Sequence, residues 1–133
     1  MVPELTVTDF EKSFDFYTRI LGFRVRNQRQ KPNFAYLEQE KAQIMIEEFH
    51  PEGWNTAELT YPLGRGVNFQ IELTEIQPVL DRIYKGGVSL YRDLKESWYN
   101  TGTVISGQKE FLIQDPDGYM LRFTQYLGEK PEK

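Results

Sequence analysis

The sequence predicts an α+β domain of two tandem βαβββ modules, their mixed sheets curved into a cup with the helices outside. Three observations predict it. One strand, one helix and three strands occur in that order twice, with Val7-Thr8-Asp9 and Leu73-Thr74-Glu75 at equivalent places. Apolar residues alternate along the strands, so each sheet has a core face and a polar face. At 133 residues the chain makes one domain, or two very small halves sharing a core.

In the first module, about residues 1–49, Leu5 and Val7 alternate with Glu4 and Thr6 and predict a strand over 4–8. Thr8 or Asp9 caps a helix running to about Leu21, with Phe10, Phe14, Tyr17 and Leu21 at helical spacing and Gly22 as terminator. Strands follow at 23–29, 34–38 and 43–48. Residues 50–65, rich in Pro and Gly, read as a linker with one helical turn near 56–59. The second module, about 66–127, opens with a strand over 67–73. Thr74-Glu75 then starts a helix with Ile76, Val79, Leu80 and Ile83 on one face, closed by Gly86-Gly87. Strands at 89–92, 110–114 and 119–125 complete it. Residues 94–107, carrying Trp98 and Tyr99, read as a long excursion, and 128–133 as a solvated tail.

Composition narrows the function. There is no Cys, which removes disulfides, thiol nucleophiles and thiolate metal sites. No apolar run approaches the roughly 20 residues of a membrane span, and no signal peptide opens the chain, so the expected location is cytoplasmic. A net charge of −4 disfavours a nucleic-acid surface and favours a cationic partner. Glycine-rich nucleotide loops, Gly-x-Ser-x-Gly and paired His are also missing.

The alternation assigns Leu5, Val7, Ile44, Ile46, Val67, Phe69, Ile71, Leu73, Leu121 and Phe123 to the core. The opposite faces carry Glu4, Thr6, Met45 and Glu47 in the first module, and Asn68, Gln70, Glu72, Arg122 and Thr124 in the second. They are either a solvated surface or the lining of a cup. Phe34 and Tyr36 alternate with Ala35 and Leu37, and either pair could be the buried one. Asp115-Pro116-Asp117-Gly118 reads as a structural turn: Pro presets one dihedral, Gly permits a positive φ, and Asp bonds back to the backbone.

The series Val2-Pro3-Glu4-Leu5-Thr6-Val7-Thr8-Asp9-Phe10, then Phe14-Asp15-Phe16-Tyr17, Leu21-Gly22-Phe23 and Asp115-Pro116-Asp117-Gly118-Tyr119, resembles the vicinal oxygen chelate superfamily over nearly the whole chain. That superfamily holds glyoxalase I, extradiol dioxygenases, fosfomycin resistance enzymes and bleomycin resistance proteins. Its metal-dependent members carry His, Glu or Gln at positions that correspond here to Val2, about Met45 (or Glu47), Asn68 and Arg122. This set suits no divalent ion, and a guanidinium repels one. The resemblance to the bleomycin resistance group, carried by Leu121-Arg122-Phe123 in the last strand, implies a binder without catalytic residues, metal or cofactor, working as a homodimer. Its expected ligand is a small cationic aromatic molecule. The candidate ligand-binding residues are Tyr36, Glu47, Trp54, Asn68, Gln70, Trp98, Tyr99 and Arg122, with carboxylates to attract the cation and aromatic rings to stack.

Plainer roles stand beside these. Trp54, Trp98 and Tyr99 can cover sheet edges or build a dimer interface. Arg122 can pair with Glu47 across the cup, and His50 can be an exposed loop residue. Two rival functions remain: a metal-dependent lyase, isomerase or dioxygenase with a rearranged site using Glu47, Glu72 or His50, and a module that binds a protein or a cellular metabolite.

Overall fold

A computed structural model describes residues 1–131 and contains two four-stranded mixed sheets. The first module comprises β1 (Glu4–Val7), α1 (Phe10–Asp15), β2 (Arg24–Arg29), β3 (Phe34–Gln39) and β4 (Ala42–Glu48). The second comprises β5 (Asn68–Glu72), α2 (Gln77–Lys85), β6 (Arg92–Asn100), β7 (Val104–Gln114) and β8 (Met120–Pro131). The sheet orders are β1-β4-β3-β2 and β5-β8-β7-β6, the same permutation twice. In each, the first strand of the module lies parallel to the last. The two-module α+β fold expected from the repeat is the one observed.

Asp9 caps α1 by accepting from the Lys12 amide at 3.1 Å. Beyond Asp15 the helix widens over Phe16–Ile20, where the Leu21 amide reaches back five residues to the Phe16 carbonyl at 3.0 Å. Thr18 contributes by donating its hydroxyl to the Phe14 carbonyl at 2.7 Å. The extra residue brings Phe16, Tyr17, Ile20 and Leu21 all into the core, a broader face than regular helical spacing predicts. Gly22 ends the segment at φ 86°.

One apolar cluster runs through both modules and joins the inner face of each sheet to its helix. The expected core residues lie in it except Val67, which is exposed, and Phe69, which is half-buried against it. Ala35 and Leu37 lie in this cluster, so Phe34 and Tyr36 belong to the opposite face, where Phe34 is itself buried beneath Arg29. No described helix is long and apolar enough to cross a membrane.

Several expected elements differ. Residues 94–107 are not an excursion. They form most of β6 and the start of β7, paired from Lys95↔Glu110 to Asn100↔Ile105. β6 itself begins only at Arg92, so 89–91 lie outside it. Gly128–Pro131 continue β8 opposite Val104–Gly107 rather than forming a tail, and residues 132–133 lie outside the described ones. No helical turn forms at 56–59. Nor does Thr74 open α2, which starts at Gln77 with Pro78 in its first turn.

Thr74 instead belongs to a joint between the modules. Its amide and hydroxyl both donate to Glu40 Oε1, each at 2.9 Å. Glu40 occupies the β3–β4 turn at φ 53°, a left-handed conformation that non-glycine residues rarely adopt. The equivalent joint runs the other way: the amide and hydroxyl of Thr8 donate to Asp117, in the β7–β8 turn. Beside it Asp115 accepts from Tyr17 Oη at 2.7 Å and from the Asp117 and Tyr119 amides, both at 2.9 Å. Gly118 is required in this turn, at φ 94° with Pro62 so close that a Cβ would lie 2.6 Å from it. The turn acids are structural, as their sequence context predicts.

Candidate functional site

Strand pairing aligns side chains in rows across each open face. In the first sheet one row is Arg29, Phe34, Glu47 and Thr6; the next is Asn27, Tyr36, Met45 and Glu4. In the second sheet the corresponding rows are Lys95, Glu110, Thr124 and Glu72, then Leu112, Arg122 and Gln70. Met45 pairs with Glu4 as Arg122 pairs with Gln70, which identifies Met45, not Glu47, as the counterpart of Arg122.

Arg122 is not neutralised by Glu47. Its Nε donates to Glu110 Oε1 at 2.7 Å, and Glu110 belongs to the neighbouring strand β7 of the same sheet. Glu110 also accepts from Tyr99 Oη and Gln108 Nε2, each at 3.4 Å. Sequence reading missed Glu110. The signal was present, because Phe111 and Ile113 are core residues and Glu110 must face the other way, beside Arg122. Glu47 instead meets His50 Nε2 at 3.1 Å, so His50 is half-buried over the first sheet rather than a free loop residue. The following residues cover the same edge, with Thr6 Oγ1 donating to Asn55 Oδ1 at 3.0 Å.

The eight candidate residues divide. Asn68, Gln70, Tyr99 and Arg122 share the open face of the second sheet, where Gln70 Nε2 donates to Thr124 Oγ1 at 3.2 Å. Tyr36 and Glu47 share that of the first; Tyr36 Oη donates to Gln43 Oε1 at 2.8 Å beneath the Arg26 guanidinium, 4.7 Å from the ring centre. Trp98 follows the opposite parity to Tyr99 and lies on the other face. It covers Gly107, where a Cβ would be 2.5 Å from the ring, and Lys130 Nζ sits 4.1 Å from its ring centre. Trp54 is 96% exposed in the linker and joins neither group.

A cleft of about 630 Å³ lies between the Glu40–Ala42 turn and the open face of β5 and β8, lined by Gln70, Glu72, Thr74 and Tyr126. A groove of about 320 Å³ sharing Lys41, Ala42 and Gln70 continues to Asn68 and Pro3. Glu72 supplies negative charge and Tyr126 an exposed ring, the pairing that holds a planar cation. Tyr126 and Lys41 also escaped the sequence reading.

The donor set does not fit a divalent ion. The relevant positions carry Asn68, Arg122 and Met45, and no group of three or more His, Asp or Glu is close enough to hold a metal among the described residues. Titration is perturbed at the joint between the modules rather than on the open faces. Burial pushes the Asp115 carboxyl up to about 6 against the opposing hydrogen bonds. Burial likewise pushes Tyr119 up to about 12 and Tyr17 well above the usual phenol range.

The model of the Glyoxalase/Bleomycin resistance protein/Dioxygenase superfamily matches residues 2–123. A lactoylglutathione lyase of Neisseria meningitidis is 27% identical over 128 residues, 91% of this chain and 86% of that protein. A bleomycin resistance protein of Geobacillus stearothermophilus is 26% identical over 135 residues, 95% of this chain and 96% of that protein. The crystal structure of TioX from Micromonospora sp. ML1 superposes with a TM-score of 0.72 at 20% identity, covering 96% and 98% of the two chains, a likeness of fold.

Proposed function

The chain belongs to the Glyoxalase/Bleomycin resistance protein/Dioxygenase superfamily, and within it we propose that the protein is a metal-free small-molecule binder that sequesters a cationic aromatic compound. The observation that carries this reading is the Arg122–Glu110 pair. A cation locked to its own carboxylate stands on the last strand of the second module, where a metal-dependent relative would need a ligand. The adjoining cleft supports it, since Glu72 and Tyr126 offer charge and a ring to a planar cation. A homodimer is part of the proposal: the open sheet faces carry Tyr36, Met45, Leu112 and Met120, which a second copy would turn into the walls of a cleft.

The test is calorimetric titration with copper-free and copper-loaded bleomycin, paired with Trp fluorescence and sedimentation. Saturable stoichiometric binding per dimer, with the drug recovered unchanged, is expected. A protein that gives neither heat nor fluorescence change at micromolar concentration does not act on such drugs. The lyase reading draws on the Neisseria relative and on the Glu47–His50 pair. Metal analysis of the purified protein, followed by assay with methylglyoxal and glutathione, decides it: a stoichiometric divalent ion with turnover would replace the binder reading.

A further inference from the structure

Arg122 is held by one end only. Its Nε donates to Glu110, and its two terminal nitrogens have no protein partner among the described residues. Three other arginines each spend Nε together with one terminal nitrogen. Arg19 gives Nε and Nη2 to Asp15, Arg82 gives the same pair to the carbonyls of Ile20 and Leu21, and Arg65 binds the carbonyls of Pro62 and Tyr61. The Arg122 side chain is 31% exposed and that of Glu110 only 14%, so the anchor is covered more fully than the cation it holds. Gln70, its neighbour on β5, lines the 630 Å³ cleft, which therefore opens onto the same row.

Geometry of this kind has a chemical consequence. A guanidinium fixed at Nε has one rotational freedom fewer, and its free edge presents two parallel N–H donors matched to two oxygens of an anion. Glu110 lowers the desolvation cost of the cation without occupying that edge, and its bonds from Tyr99 and Gln108 keep it in place.

We propose that Arg122 receives an oxyanion of the bound ligand, a carboxylate or a phosphorus oxyanion, on its terminal guanidinium nitrogens. The inference deepens the binder reading and rests on it. A ligand satisfying both then carries a planar cation near Glu72 and an oxyanion at Arg122, one row apart on the same sheet.

Amide chemical shifts of the intact protein test this with three small probes built on one phenyl ring: benzoate, phenylphosphonate and benzamidine. Benzoate or phenylphosphonate at millimolar concentration should shift the amides of Gln70, Leu112 and Arg122 saturably. Arg122→Lys keeps a charge for Glu110 but loses the fork, and should weaken the anion by about tenfold while the rest of the spectrum stays in place. The tighter anion identifies the oxyanion geometry as planar or tetrahedral. If the anions bind Arg122→Lys as well as wild type, or if benzamidine binds and the anions do not, the oxyanion inference falls and the binder reading stands. Silence with all three probes overturns both.

Discussion

The two modules repeat one topology, yet their reciprocal joints are built to different depths. Thr8 reaches into the second module and finds Asp117, which is buried beside Asp115, Tyr17 and Tyr119. Thr74 reaches into the first and finds Glu40 on an exposed turn. The open faces diverge further: Met45 stands where the second module has Arg122, and Phe34 where it has Glu110. Duplication has kept the backbone bonds that define the fold and released the side chains that do not. A buried polar joint is costly to break, whereas an exposed one can exchange its partners for water.

The largest difference should appear on deleting each joint. Asp115→Ala leaves the Tyr17 hydroxyl and the Asp117 and Tyr119 amides without their acceptor in the interior, and should cost about 3–5 kcal/mol in denaturant unfolding. Glu40→Ala should cost about 1 kcal/mol or less, because the Thr74 donors can turn to water. Equal losses would mean that the joints carry equal weight despite their burial.

The same contrast predicts a pH dependence. The Asp115 carboxyl lies at about 6 in the folded protein against an ordinary value of 3.8, so between these the native state holds the extra proton. Its contribution to stability is therefore fully present below about pH 3.8 and is lost as pH rises through about 6, by at most about 3 kcal/mol. Asp115→Asn should flatten that part of the stability profile. Its amide oxygen can still accept from both backbone N–H groups and its NH₂ can face Tyr17. A variant profile parallel to wild type across that interval would place the proton elsewhere.

Much of the fold was legible because alternation and capping are local. Leu5, Val7, Ile71 and Phe123 declare one buried face by period, and Gly22 marks its turn by needing a positive φ. β6 was not legible for a physical reason. As an edge strand whose residues are mostly exposed, it has no face to bury and so shows no apolar alternation, which hid the opposite directions of Trp98 and Tyr99. The partner of Arg122 escaped because the neighbour order of strands is a tertiary property that neither strand's own period carries, although Glu110 lies on the correct parity. Thr74 resembled a helix cap locally, but its acceptor is Glu40, 34 positions earlier.

On the open faces the expected effects are smaller. A double-mutant cycle of Arg122→Ala and Glu110→Ala should give a coupling of about 1–2 kcal/mol, since the pair is half-covered rather than fully buried. Changing Met45 to Ala at the matching place should be additive with either, since Met45 belongs to the other sheet. Coupling of Arg122 to Glu47 instead would restore the cross-cup pair that the register argues against.

The smallest effect should come from Trp54, and its size separates linker from scaffold. An indole 96% exposed makes no stabilising contact to lose, so Trp54→Ala should change stability by less than about 0.5 kcal/mol. Trp98→Ala should cost more, because Trp98 covers the Gly107 backbone and carries Lys130 over its ring. Neither should weaken ligand held at Arg122 unless the linker folds over the open face on binding. In that case Trp54 emission shifts to the blue on saturation and Trp54→Ala loses affinity at unchanged stability. Trp98, facing away from Arg122, supplies the control: its substitution should leave affinity unchanged even as it lowers the unfolding midpoint.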